Sequence, residues 1–332
     1  MNILAGRTVR VLCGKRMSVL SVIGILRQWF KSLTGRSVFR IDERYLIKVY
    51  ANVYEAFYEH QVLLNASKYK TTMFRIPKVF SLVKVSGGGA TIMEYIPGIS
   101  LDKHILRFLL RRDFSIIEIF YNIGKALKEL HFLPLSALRS SNFPSTYGAF
   151  IENLLKLLDH ALKLRILTHR DYDKVMYAIR SVNENKVNEL FTCVNLHGEM
   201  YFTHILLTDD DTLVFVDFHN ACKGPAYFDL AMLAVSLYAS IMFLPWNPKV
   251  FTPLVKAFLK GYFGKELSEE LSKAIALAQL YVALQEILNY INALNSREHL
   301  LKVKLPSMIK LKRLKKAIKD AILPQLTYAS SV

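Results

Sequence analysis

Short β-branched and aromatic runs dominate the first hundred residues, and helical spacing takes over afterwards. Val38 to Ile41 and Tyr45 to Tyr50 flank Asp42-Glu43-Arg44, a pattern that predicts a β-hairpin. Val53 to Ala66 places Val53, Phe57, Val62 and Leu64 among polar residues, with Asn52 as an N-cap, and predicts a helix. Val79 to Val85 and Ala90 to Tyr95 surround Gly87-Gly88-Gly89, which reads as the turn of a second hairpin rather than a phosphate cradle. Pro97-Gly98 ends this β-rich segment. Helices are then expected at Leu101 to Leu110, Ile116 to Phe132, Phe150 to Leu167 and Tyr172 to Val187. A small hairpin, Ile205 to Leu207 and Leu213 to Asp217, turns at Asp209-Asp210-Asp211, an exposed turn rather than a Ca²⁺ loop. From about Tyr227 the pattern is helical again. The expected fold class is α+β, with a small β-rich lobe over 34–98 and a larger helical lobe over 99–332.

Charge adds a constraint. With 44 Lys and Arg against 27 Asp and Glu in 332 residues, the net charge of +17 favours an anionic partner. The first acidic residue is Asp42, so 1–33 forms a basic N-terminal segment. Its apolar stretch, Met17 to Leu26, is too short to span a bilayer and no small-residue cleavage site follows it. A membrane-surface or structural amphipathic helix and an organelle targeting segment both fit. A second basic block, Lys302 to Lys319, carries apolar residues at helical spacing. It reads as an amphipathic helix packed on the protein or as contact with an anionic membrane surface. Nothing aromatic is interleaved to stack bases, which argues against nucleic acid. The 3 Cys residues show no CxxC, so a disulfide framework and a zinc ribbon are not expected and a reducing, cytoplasmic setting fits, peripheral to a membrane if the basic ends act as anchors. Leu230 to Trp246 and Ala274 to Leu294 are apolar enough to imitate membrane spans; helices buried inside a large helical domain explain them as well.

The chemistry concentrates in His197-Gly198-Glu199-Met200-Tyr201-Phe202-Thr203-His204, followed by Val216-Asp217-Phe218. A hairpin between the two would bring Glu199, His204 and Asp217 to one end. One carboxylate to orient a hydroxyl and two ligands for a divalent ion are what phosphoryl transfer requires.

These motifs resemble the protein-kinase-like fold, in its aminoglycoside phosphotransferase and choline-kinase-like branch, which carries H-G-D-x-x-x-x-N and then I-D-F. The resemblance runs from about Val38 to Leu237. It implies an ATP-dependent phosphotransferase acting on a hydroxyl of a small molecule, a sugar or lipid head group among the candidates, with Mg²⁺ or Mn²⁺. Lys48, in Ile47-Lys48-Val49, looks like the ATP-binding lysine, and Glu59 like its helix partner, with Glu55 as a rival one turn earlier. Met93-Glu94-Tyr95-Ile96-Pro97-Gly98 looks like the hinge that meets adenine, which assigns Glu94 and Tyr95 to the nucleotide. Leu127 to His131 resembles the family's L-x-x-L-H, and Gly224 to Ala231 its G-D-P-x-x-D-L-A. The resemblance makes Glu199 the catalytic carboxylate and His204 and Asp217 the metal ligands. The 65 residues between His131 and His197 match the helical insertion of small-molecule kinases, here 133–190, which helps to form the acceptor site.

Three departures stand against full activity. Glu199 replaces the family's Asp, a displacement of roughly 1 Å that can cost about 10²-fold in rate. His204 replaces its Asn, and imidazole suits Mn²⁺ better than Mg²⁺; a His at that place is similar to lipopolysaccharide-core sugar kinases, as is Asp217-Phe218-His219. Only Thr34-Gly35-Arg36-Ser37 is available as a phosphate loop. The alternative is therefore a pseudokinase, a nucleotide-binding or interaction module that does not transfer phosphate. His197 and Asp229 read as braces of the loop.

Overall fold

The computed structural model describes residues 37–85, 88–136, 138–240, 245–295 and 304–327. The basic segment 1–33, the proposed phosphate loop up to Arg36, Gly87 and the first two residues of the Lys302 to Lys319 block lie outside them.

Two compact units are distinguished. The first holds the described residues up to Gly98, with 135–136 and Leu206–Asn220. Strands β1 (Ser37–Arg40) and β2 (Tyr45–Tyr50) pair antiparallel, Val38 opposite Lys48. Their turn is closed by Asp42, whose Oδ1 accepts from the N–H groups of Arg44 and Tyr45 at 2.7 and 2.8 Å. Helix α1 (Val53–Ala66) starts where expected, with the Asn52 side chain accepting from the Tyr54 N–H. After the short β3 (Phe74–Arg75) come β4 (Val79–Val85) and β5 (Gly88–Glu94), and the sheet order is β1-β2-β5-β4.

Here the structure corrects the expected turn: Gly88 and Gly89 are strand residues of β5. The reason is steric, because a Cβ on Gly89 would lie 2.7 Å from the Cβ of Ala56 on α1. Alternation along β2 divides its side chains between two faces. Ile47 and Val49 pack with Ala90 in one apolar cluster, while Lys48 and Tyr50 point to the other face, toward α1.

The second unit begins at Ile99, with β6 (Ile99–Ser100), α2 (Leu101–Arg111) and α3 (Ile116–Phe132). After β7 (Arg139–Ser140), α4 covers Tyr147–Lys163 and α5 His169–Ser181. Helix α5 stops short of the expected Val187, because Asn183 turns its side chain onto the Asn185 N–H and nucleates a 3₁₀ turn instead. Strand β8 (Cys193–Leu196) and a later strand pair antiparallel, a sheet with no alternation to announce it.

Then come β9 (Ile205–Leu207) and β10 (Leu213–Phe215), the expected hairpin. Strand β10 belongs to the first unit and runs parallel to β3, Leu213 opposite Phe74. Strand β11 (Cys222–Pro225) completes the pair with β8, Cys222 opposite Leu196. Helix α6 (Tyr227–Tyr238) buries every residue but Ser236, so Leu230 to Tyr238 of this apolar stretch lie in a core helix; 241–244 are outside the described residues. Helices α7 (Thr252–Phe263) and α8 (Glu269–Asn295) follow. Among the described residues α8 alone is long and apolar enough to cross a membrane by length and composition, and 67% of its apolar window is buried in the protein. Helix α9 (Lys304–Ala317) carries the described part of the second basic block and runs through a π turn (Ile318–Ile322) into α10 (Leu323–Thr327).

α3 and α7 touch through glycine. A Cβ on Gly124 would lie 2.0 Å from the Phe258 carbonyl, and one on Gly261 1.9 Å from that of Tyr121. Only residues without a side chain allow the two backbones so close.

Candidate active site

In the first unit the buried Lys48 is held by two carboxylates. Its ammonium donates to Glu59 Oε1 and Oε2 at 3.0 and 2.7 Å and to Asp217 Oδ1 at 2.6 Å. Glu59, rather than Glu55, reaches it because residues 56, 59, 62, 63 and 66 form the buried face of α1. Glu59 is 1% exposed and therefore needs all its acceptor sites filled. Besides Lys48 it accepts from the Tyr50 hydroxyl and from the Phe218 N–H at 2.9 Å. Asp217 sits at φ 71°, in the left-handed region where an aspartate is among the few side chains tolerated. Its Oδ1 also accepts from His219 Nδ1. Burial alone would raise the Asp217 pKa, but the His219 hydrogen bond and the adjacent Lys48 charge outweigh it and hold the carboxyl far below its ordinary range.

In the second unit the loop after β8 is built on Asp229 of α6. The N–H groups of His197 and Gly198 donate to its carboxylate at 2.6 and 3.0 Å, and His131 Nε2 lies 3.2 Å from it. Gly198, at φ 81°, allows the turn that aims both N–H groups the same way. On the far side of the ring, His131 Nδ1 lies 2.8 Å from the Tyr262 hydroxyl. A carboxylate only accepts, so the ring proton is on Nε2 and Tyr262 donates to Nδ1. Burial, with the Asp229 and Glu189 charges, pushes the Tyr262 phenol above its ordinary pKa, which keeps that proton in place. Asn195 fastens β8 to the end of α3 through the His131 and Leu133 carbonyls.

Further along the loop, His204 Nδ1 lies 2.9 Å from the Glu199 carbonyl oxygen. The carbonyl accepts, so Nδ1 carries the hydrogen and the lone pair of a neutral ring is on Nε2. That is how metal-binding histidines are usually oriented. The Tyr201 N–H also donates to the Glu199 carbonyl, at 2.7 Å, so the loop is folded around the residue expected to act as base.

Within the first unit, then, Lys48, Glu59 and Asp217 meet; within the second, Glu199 and His204 share one short loop. Glu94 and Tyr95 lie at the end of β5. Their N–H groups donate to the Lys78 and Arg44 carbonyls at 2.7 and 2.8 Å, and the Glu94 carboxylate pairs with Arg75 at 3.0 Å. Sequence reasoning assigned no role to Tyr50 or Tyr262. Tyr50 was findable, since it shares the face of Lys48 by alternation. Tyr262 was not, because its partner is 131 residues away.

Taken unit by unit, the Asp217 carboxylate held ionised is an oxygen donor of the kind that suits a divalent cation such as Mn²⁺ or Mg²⁺, and the His204 imidazole with its hydrogen on Nδ1 offers Nε2 as a ligand atom.

A family model described as the phosphotransferase enzyme family matches residues 28–271, and the chain belongs to that family. Solved structures share its fold. One is a choline/ethanolamine kinase family protein from Mesorhizobium loti, with 17% identity, TM-score 0.57 and 89% of each chain covered. Another is the GDP complex of aminoglycoside 2'-phosphotransferase-IIIa, with 14% identity, TM-score 0.56, and 90% of this chain and 99% of that one covered. A third is spectinomycin phosphotransferase in complex with ADP and spectinomycin, with 14% identity, TM-score 0.56, and 89% and 91% covered. No curated protein matches. The fold is the protein-kinase-like α+β fold of these enzymes.

Proposed function

We propose that this protein transfers the γ-phosphoryl group of ATP to a hydroxyl of a small molecule. The observation that carries the reading is the buried Lys48–Glu59–Asp217 cluster, a fixed ammonium beside an ionised carboxylate. Lys48 would leave Asp217 for the α- and β-phosphates, with Glu59 holding it in place. The acceptor hydroxyl oxygen attacks the γ-phosphorus as the bond to the bridging oxygen breaks and its electrons pass to ADP. The hydroxyl proton goes to the Glu199 carboxylate. Asp217 and His204 would hold the divalent ion, which supplies charge neutralisation along the phosphates. Positioning and electrostatics supply most of the rate in such a transfer. Segment 94–96 would face the base.

A second reading, a nucleotide-binding module without transfer, is favoured by one observation: Lys48 is already neutralised by two carboxylates. One assay separates the two. ATP turnover by the wild type is compared with Asp217→Ala and Glu199→Gln. Loss of turnover in both supports the enzyme. Turnover no higher in the wild type than in the variants, with ATP still raising the melting temperature, supports the module.

A further inference from the structure

The second unit contains a cavity of about 200 Å³ beside the Glu199 loop. Its polar lining includes Tyr201, Glu286 and Lys310; Met232, Val235 and Leu314 form apolar wall. Burial pushes up the pKa of both Tyr201 and Glu286; at Glu286 the Lys310 charge opposes the rise, and the Glu199 charge adds to it at both. Tyr201, in the cavity wall, donates its N–H to the Glu199 carbonyl at 2.7 Å, so the cavity adjoins the loop that carries the carboxylate assigned to the acceptor hydroxyl.

Lys310 is placed by its own helix. Three residues on, the buried Arg313 donates to the carbonyls of Ser240, Trp246 and Tyr238 at 3.2, 3.0 and 3.4 Å, which caps the end of α6. Leu314, one turn from Lys310, is 1% exposed. These contacts fix the register of α9. The Lys310 ammonium lies 4.9 Å from the ring centroid of Tyr290 and 5.8 Å from that of Tyr201. Among the described residues no carboxylate lies within ion-pair distance of it.

Aromatic faces beside a carboxylate are the usual receptor for an ammonium ligand. In this protein the chain's own lysine takes that place. A cationic acceptor would have to displace Lys310 or sit against it. An acidic acceptor would meet an ammonium already oriented by two rings. Ligand pockets are commonly about 300–1,000 Å³, and this smaller one admits only a small acceptor.

We propose that this cavity is the acceptor site and that it selects a small hydroxyl compound bearing a carboxylate or phosphate, which pairs with Lys310. The inference rests on the phosphotransferase reading for the transfer, but not for the binding. The test uses the full chain and three sets of small probes: glycerate, gluconate and glycerol 3-phosphate; glycerol and glucose; choline and kanamycin. Thermal stabilisation and phosphoryl transfer from ATP are measured for the wild type, Lys310→Met and Lys310→Arg.

The expected result is stabilisation by the anionic set alone, weakened roughly 10-fold or more in apparent affinity by Lys310→Met and restored by Lys310→Arg. In transfer, Lys310→Met should raise KM by a similar factor and leave kcat within about twofold. Binding of this kind without transfer to any probe supports the site and counts against the phosphotransferase reading. Preference for choline or kanamycin, no stabilisation by any anionic probe, or anion binding unchanged in Lys310→Met overturns the proposal, whether or not phosphate is transferred.

Discussion

The two polar clusters of this protein are built on opposite principles. Around Lys48 the contacts are ionic: one ammonium, two carboxylates and an imidazole, with the Asp217 side chain 26% exposed. Around Asp229 a single charge is spread over two backbone N–H groups and a His131–Tyr262 relay, with His131 and Asp229 fully buried. The ionic cluster can exchange one partner for another without leaving a group unsatisfied, because Glu59 keeps the Tyr50 hydroxyl and the Phe218 N–H. In the relay each group is tied to the next: Asp229 accepts from two backbone N–H groups and lies 3.2 Å from His131 Nε2, whose Nδ1 lies 2.8 Å from the Tyr262 hydroxyl. One arrangement suits a site that must accept phosphate; the other suits a scaffold that must not move.

Asp229→Ala is the most severe way to break this contrast. It strips the acceptor from two buried N–H groups and from His131, and should cost about 3–5 kcal/mol in urea unfolding. Lys48→Met leaves the buried Glu59 without its counter-ion, though the Tyr50 and Phe218 hydrogen bonds remain, and should cost about 3 kcal/mol. It should also abolish the thermal stabilisation by ATP, which calorimetry would read. Tyr262→Phe leaves His131 Nδ1 without its donor and should cost about 1–2 kcal/mol.

The pH windows sharpen the comparison. Folded Asp217 takes up its proton less readily than the unfolded chain, so its contribution is complete above about pH 3.9 and is lost as pH falls through the folded value. Folded Tyr262 gives up its proton less readily, so its contribution is complete below about pH 10 and is lost as pH rises. The stability gap between wild type and Asp217→Asn should therefore be flat from pH 5 to 8 and shrink only in acid. That between wild type and Tyr262→Phe should shrink only in alkali. Equal shrinkage of both at one end would defeat the assignment. The smallest effect on stability, under about 0.5 kcal/mol, is expected for His204→Asn. Its signature is a shift in ATP affinity from Mn²⁺ toward Mg²⁺, measured by titration with each metal.

The sequence made the ionic cluster legible because its parts sit in recognisable local patterns: Lys48 between Ile47 and Val49, Glu59 on an amphipathic helix, Asp217 at the end of an apolar run. Glu59 is favoured over Glu55 by the apolar run Val62-Leu63-Leu64 that follows it. The relay was legible only in part. His131 and Asp229 lay in motifs, but the link to Tyr262 depends on the packing of α3 on α7, which no local spacing encodes. Strands β8 and β11 were missed because each is only four residues long and the latter ends in Gly224-Pro225. The glycine run misled for a physical reason: Gly88 and Gly89 are strand residues, and at Gly89 the missing side chain makes room for Ala56.

The glycine contact between α3 and α7 reaches further than local packing. Those helices carry the two ends of the relay, since His131 closes α3 and Tyr262 neighbours Gly261. Their separation is therefore the ruler by which phenol and imidazole find each other, and through Asp229 it sets the pose of the His197–Gly198 backbone. A single methyl group at position 124 would prise the pair apart and loosen a loop it never touches.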